Sequence, residues 1–524
     1  MARVYDNYSS LIDFTRASSG TALRPISYGD ELVTNGGFDS DSDWTKGTGW
    51  TISDGTSTAS AATGNLQQSV SVTAGKIYFI TFDIVAYTSG SINRVQLGTV
   101  VGNTLNASSV GTYSSAIVAN ATGSGVQLYV VPSNFSGSID NISVREVLFD
   151  QPNGTLTLFN HPTNVPRIEY DAQGNRLGLL VEESRTNLIE YSDFSATWTS
   201  SNCTLTSSQQ SPDGNTNAII FERNSTASSY LAKAANKAAS SLTYSLSVFV
   251  KKDTARYFAV RLQGLYPSRA DVVFDLNSGS IATPAATVLN FSSPSAYIEN
   301  IGNGWYRCIL TTTSDTYTLI NSLFSFNSNN VAIDGTDTAP DSSGIIFGAQ
   351  LEQASFPTSY IPTSGSTATR SADVASIGVS EFGYNQSEGT LFVEAAPNHA
   401  PTSDDYLIQI DNGSSTKRYA VRLDNVTATK SFVINSGATT TISNGTRLDA
   451  GESIKIAFAF SDGDQAVSID GGSVQVGSAV ALNGLTTLRI GSDDGALRYL
   501  DGHIKSIKYY PRRLTNAQLQ ELTS

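Results

Sequence analysis

The chain has three imidazoles, His161, His399 and His503, and none has a second ligand residue at i+2 to i+4. No HExxH, paired CxxC, GxGxxG or Walker pattern occurs, which excludes metalloprotease, structural-zinc and nucleotide chemistry. Carboxylates are abundant, 46 in all, yet a glycosidase needs two of them facing each other at about 5 to 9 Å. Sequence spacing places no such pair. The short-period parallel repeats of a β-helical depolymerase are also absent, so the chain is expected not to be an enzyme. The chemistry these residues do support is non-covalent. Sugars present CH faces that stack on aromatic rings and hydroxyls that bond to amides and carboxylates. Within residues 30–147, Trp44, Trp50, Tyr87 and Tyr113 are the available rings. Trp50 opens the run GWTIS and reads as core, as do Trp198 and Trp305. That leaves Trp44 and Tyr87, both beside turns, together with Tyr113, as candidate glycan platforms.

What positions these rings is a β architecture. Only 15% of residues are charged, and Val, Ile, Tyr and Phe recur in short alternating runs between Ser, Thr, Gly and Asn, the composition of strands joined by turns. At roughly 100 to 200 residues per domain, 524 residues imply about three domains. A formal charge of -14 and no Lys/Arg cluster argue against nucleic acid as a partner. No apolar run reaches the ~20 residues of a membrane span, and MARVYDNYSS lacks a signal-peptide core, so synthesis in the cytoplasm without membrane insertion is expected. Cys203 and Cys308 are too few for a disulfide framework and read as packed thiols, one bridge being geometrically possible.

In chain order, residues 1–29 hold too few apolar positions for a core and are read as an attachment segment. Residues 30–147 form a first module. In its run KIYFITFDIVAY, Tyr78, Ile80, Phe82 and Ile84 share one face, and the other face, Ile77 to Val85, is also largely apolar. This predicts a central strand whose two faces are both at least partly covered. Residues 148–187 read as a connector with short hairpins. Residues 188–372 repeat the plan of the first module: NLIEYSDFSATW parallels LVTNGGFDSDSDW, pairing Phe38 and Trp44 with Phe194 and Trp198. Tyr244, Leu246, Val248 and Val250 of this second module share a strand face. Residues 373–524 form a third sandwich that ends in a helix, where Thr515 and Gln518 make a capping box. The expected fold is therefore all-β: tandem antiparallel β-sandwiches of jelly-roll type with one short C-terminal helix.

Several phrases resemble proteins of tailed-phage and gene-transfer-agent structural clusters. They are IDFTRASSGTALR, PRIEYDAQGNRLGLLVEESRTNLIEYSDF, SPDGNTNA, NGWYRCILT and GAQLEQASFPTSYIPTSGSTATRSAD. In that family the first phrase runs quickly into the second, whereas here more than a hundred residues intervene, so module 30–147 reads as an insertion. On NGGF, TAGKIYFITFDI and IDNISV, the insertion is similar to jelly-roll carbohydrate-binding modules, and DGHIKSIKYYPRRLTNAQLQEL resembles concanavalin and laminin-G sandwiches.

The resemblance implies a spike or fibre subunit on the virion surface, a homotrimer by analogy, bound to other virion proteins and to a host surface polysaccharide. A purely structural decoration, neck or connector protein is the alternative, and a glycan depolymerase a third reading. No cofactor is required. The carbohydrate-binding-module likeness further implies a structural Ca²⁺ where opening and closing strands meet, at Asn35, Asp39 and Asp140.

Overall fold

The computed structural model describes residues 12–102, 105–400, 404–424, 428–435, 438–443, 448–479, 481–495 and 497–524. Residues 1–11 of the attachment segment lie outside them. The fold is all-β, with antiparallel sheets throughout and one short C-terminal helix.

The first module is organised by two long strands, Ile77–Leu97 and Gly123–Phe149. Their pairing is interrupted by repeated register shifts, and such bulges let a strand bend from one layer of a sandwich into the other. Tyr78, Ile80, Phe82 and Ile84 are buried in its main core with Leu128, Val130 and Phe135. On the opposite face Ile77 joins Ile26, Ala116, Val147 and Phe159 in a second cluster, and Phe79 packs against it. The strand is therefore covered on both sides over its first half, while Val85, further along, is exposed.

The second module is a sandwich of two six-stranded sheets. Tyr244, Leu246, Val248 and Val250, all on strand Thr243–Lys252, meet Phe258, Phe324 and Phe326 from the facing sheet in one core. Cys308 is buried there, Cys203 is half-buried, and both are free thiols.

The entries to the two modules share one local geometry. Phe38 and Phe194 both take left-handed φ values, 56° and 62°. The amide of each donates at 3.2 Å to a carbonyl three residues back, that of Asn35 or Tyr191. The same carbonyl accepts the indole N–H of Trp44 at 2.9 Å or Trp198 at 2.8 Å. In each pair the Phe and Trp rings touch, with centroids 5.4 and 4.5 Å apart. The repeated Phe and Trp thus mark one turn used twice, whose indole N–H is satisfied by the carbonyl it encloses.

The third sandwich faces two seven-stranded sheets across one core. Part of it comes from far upstream. Asp13–Thr15 pairs with Val374–Gly378, setting Phe14 opposite Ala375. The hairpin Arg167–Tyr170 and Arg176–Val181 docks on Gly502–Tyr510. Thr155–His161 pairs with Gly20–Glu31, which also pairs with the last strand of the first module. Residues 12–31 and 155–181 therefore stitch the first module to the third. The helix Asn516–Thr523 carries the expected capping box, with Gln518 N–H on the Thr515 side chain, and its Leu519 packs on Phe392, Ala457 and Ala459.

Where these segments meet lies a fully buried ionic knot. Arg16 donates to Asp373 at 3.1 Å, and Arg167 contacts Asp373 and, at 2.8 Å, Glu182. Arg370 lies 3.4 Å from Glu182. All five side chains are at most 3% exposed. Further donors reach carbonyls of His161 and Pro162 from Arg16, Thr21 from Arg167 and Glu183 from Arg370, while the buried Nε atoms of Arg167 and Arg370 have no partner among the described residues. Ser359 closes the knot with two hydrogen bonds to Glu182, each 2.7 Å. Burial alone would raise the Glu182 pKa, but Arg370, Arg167 and the Ser359 bonds outweigh it and hold the carboxyl far below its usual range.

Candidate functional site

Of the three expected platforms, Trp44 is corrected. It is 7% exposed, and its indole is engaged by the Asn35 carbonyl, because the entry turn needs its ring as core. The parallel with Trp198 was the signal for this in the sequence. Tyr87 is exposed, its hydroxyl on the Gly90 carbonyl at 3.1 Å and its ring beside Phe135. Tyr113 is half-buried and stacks on core Phe82 at 5.6 Å. The two tyrosines thus have different ring neighbours and are not brought into one platform.

The segments expected to hold calcium do meet. Ile142 N–H donates to Gly36 O at 3.0 Å, and a Cβ on Gly36 would stand 2.1 Å from the Ile142 carbonyl, so glycine is required there. Asn35 turns its amide to the carbonyls of Ser40 and Ser42, while Asp140 accepts from the Asn141 N–H at 2.7 Å. Asp39 is exposed. Asn35, Asp39 and Asp140 alone do not supply the six to eight oxygens that calcium takes. Among the described residues no group of three or more His, Cys, Asp or Glu side chains is placed to hold a metal ion.

A different face of the first module collects aromatic, hydroxyl and amide side chains. In Gly123–Phe149 the side chains of Leu128 and Val130 are buried, so Gln127, Tyr129 and Val131 point outward. The register sets Tyr129 opposite Gln67 on one side and Gln96 on the other. Gln67 in turn faces Thr45, and Gln96 faces Val101. Directly opposed side chains have Cβ atoms about 5 Å apart, so these five residues form one row across the sheet. Arg94 lies opposite Val131 and Gln127 opposite Ser69 in the rows beside it. Gln127 and Tyr129 also line a depression of about 440 Å³ walled by Thr99, Asn120 and Gly125. The Tyr129 hydroxyl and the Gln67 amide make no hydrogen bond among the described residues, which leaves a ring edge, a hydroxyl and an amide open to a ligand. The alternation in GVQLYVV is the sequence signal for this face.

A second concavity, of about 280 Å³, lies at the seam of the second and third sandwiches, lined by Glu183, Arg185, Phe356, His399, Asp405 and Asp501 among others. His399 stacks on Phe356 at 3.8 Å, and Arg185 lies over the same ring while pairing with Glu183. Asp501 accepts the Glu183 N–H at 2.8 Å. Burial, then Glu183, push its carboxyl well above the usual range. These groups engage one another across the seam, which gives the cleft the character of a joint.

Residues 368–520 match the laminin-G-type family described as the concanavalin A-like lectin/glucanases superfamily. The match gives the last sandwich a concanavalin-like lectin fold and omits the strand and hairpin, Asp13–Thr15 and Arg167–Val181, that extend its two sheets. No curated protein matches the chain. Solved structures with similar parts include a SAP-like pentraxin from Limulus polyphemus (16% identity, 26% of this chain and 70% of that one, TM-score 0.22). Others are the CBM22-1-CBM22-2 tandem of Paenibacillus barcinonensis Xyn10C (8%, 64% and 100%, 0.22) and domains LG4-5 of mouse laminin alpha1 (10%, 64% and 91%, 0.21).

Proposed function

We propose that the chain is a glycan-binding, non-enzymatic structural protein of a phage virion, a spike or fibre subunit that holds host surface polysaccharide on its first module. The observation that carries this reading is the outward row Gln67, Tyr129 and Gln96 beside its depression. The lectin-type family match of the third sandwich supports it, and the phage context rests on the phrases shared with tailed-phage proteins. Those phrases supply the knot residues Arg16, Arg167, Glu182, Ser359, Arg370 and Asp373, which would hold the binding module rigidly on the particle-borne sandwiches. Assembly as a homotrimer would add avidity to weak single-site binding. A structural Ca²⁺ at the Asn35 loop would need further carbonyls from that loop, and a fall in first-module melting temperature on chelation tests for it.

The test compares purified full-length protein with Tyr129→Ala for binding to intact host cells and to their capsular and lipopolysaccharide fractions. Retention of the parent and loss of the variant, with unchanged melting, supports the reading. Equal retention of both would remove this face from it.

One observation favours the purely structural alternative. Leu265, Tyr266, Leu289 and Tyr317 are 38 to 67% exposed in loops at the same end of the second sandwich, a surface suited to a neighbouring virion protein. A particle that assembles only with these side chains intact, from a chain that binds no glycan, would establish it.

A further inference from the structure

The glycan-binding reading of the first module leaves open what kind of sugar the face takes, and its one arginine bears on that. Residues 30–147 contain four cations, Lys46, Lys76, Arg94 and Arg145, among a larger number of carboxylates. Lys46 is paired with Asp41, Lys76 with Glu146 and Arg145 with Glu31. Arg94 alone makes no ion pair and no hydrogen bond among the described residues. Its Nε has no exposed surface and no partner.

Its place in the sheet is not arbitrary. Arg94 and Gln96 flank Val95, which is 1% exposed, so both stand on the outer face. Arg94 pairs with Val131 and Gln96 with Tyr129, which puts the guanidinium one row from the Tyr129 ring. The residues at these row positions, Thr45, Gln67, Ser69, Gln96, Gln127 and Tyr129, include no Asp or Glu. In an acidic module, an unpaired guanidinium on a carboxylate-free face, beside the open Gln67 amide and a tyrosine ring, is complementary to a sugar that itself carries an anion. The planar fork of arginine matches a carboxylate with two parallel N–H donors.

Resting on the reading of this face as the glycan surface, we infer that its ligand is an acidic polysaccharide, a sugar-ring carboxylate lying on Arg94 while a neighbouring ring packs on Tyr129. The Gln67 amide and the side-chain oxygen of Gln96, whose NH2 is held by the Gly98 carbonyl at 2.8 Å, take the hydroxyls between them. A neutral polymer of the same backbone keeps the stacking and the amide bonds and loses the charge-assisted pair, a difference of ~10- to 100-fold in affinity.

The experiment uses the full-length chain on an array of immobilised bacterial and plant polysaccharides, uronic-acid polymers included, each printed native and after chemical reduction of its carboxyl groups. Binding to one or more native acidic polymers at least ~10-fold above the reduced form, with Arg94→Gln reducing native binding to the level that the parent shows on the reduced form, is the expected result. Arg94→Lys, which keeps the charge and loses the fork, falls between. Equal binding of native and reduced forms by the parent, with both lost in Tyr129→Ala, overturns the acidic inference and leaves the glycan reading standing. No binding to any polymer overturns both. If Arg94→Gln melts early, the native-against-reduced comparison on the parent decides alone.

Discussion

Arg16 and Asp373 are 357 residues apart in sequence and 3.1 Å apart in space, with neither side chain exposed at all. Their pair, with Arg167, Glu182 and Arg370, closes the point where the N-terminal segment, the connector and the start of the third sandwich cross. A buried ion pair adds little net stability against an apolar replacement, but breaking one side leaves an uncompensated buried charge. Asp373→Ala leaves Arg16 and Arg167 facing each other and is expected to cost about 3 to 5 kcal/mol in denaturant unfolding. An unchanged midpoint would mean that water or a rearranged Glu182 can satisfy both arginines.

Trp44 and Tyr129 separate folding from binding. Trp44→Ala removes a buried ring and is expected to destabilise the first module by about 3 to 5 kcal/mol, with any glycan loss following its unfolding. Tyr129→Ala removes an outward ring and is expected to abolish binding with little change in melting. Calorimetry beside the cell-binding assay distinguishes the two.

His161 sets an acid limit. It is buried against Phe149 and Phe159, and burial, then Arg24, Arg16 and Arg167, lower its pKa well below the usual value. The unfolded chain therefore takes up a proton below about pH 6.5 that the folded chain refuses. Stability present above that pH is lost as pH falls below it. His161→Phe is expected to flatten the decline between about pH 6.5 and 5; His399, whose pKa is also lowered by burial, retains part of the slope. Parallel curves for parent and variant would refute the assignment.

Asp501 works in the opposite direction. Its folded pKa is raised, so the folded chain keeps a proton that the unfolded chain releases near pH 3.9. Its contribution is most favourable below that value and is lost as pH rises through the folded pKa. Asp501→Asn keeps an oxygen for the Glu183 N–H and is expected to be more stable than the parent at neutral pH, with the gap closing on acidification. Melting curves across the range check the sign.

The Thr515 cap is local. Thr515→Ala is expected to cost about 1 kcal/mol, seen as earlier amide exchange in Asn516–Thr523 and in the strands it covers, with the first module unaffected.

The sequence by itself determined the strands, the sandwich class, the terminal helix and the doubled Phe and Trp entry, because period-2 alternation, turn residues and capping boxes are local and each is written within a dozen residues. Tertiary structure decided three things, the first of which the parallel of Trp44 with Trp198 had signalled. Trp44 became core because the same carbonyl that caps its turn satisfies its indole. The phrases around Arg16, Arg167, Glu182 and Arg370, legible only as a resemblance, became one knot, because the pairing of charges hundreds of residues apart depends on which strands adjoin. The outward row of Gln67, Tyr129 and Gln96, with Arg94 in the next row, exists only in the register of three strands. Alternation reveals that each residue faces outward, but a shift of one position would scatter the row, and that register is fixed by the buried side chains beneath it.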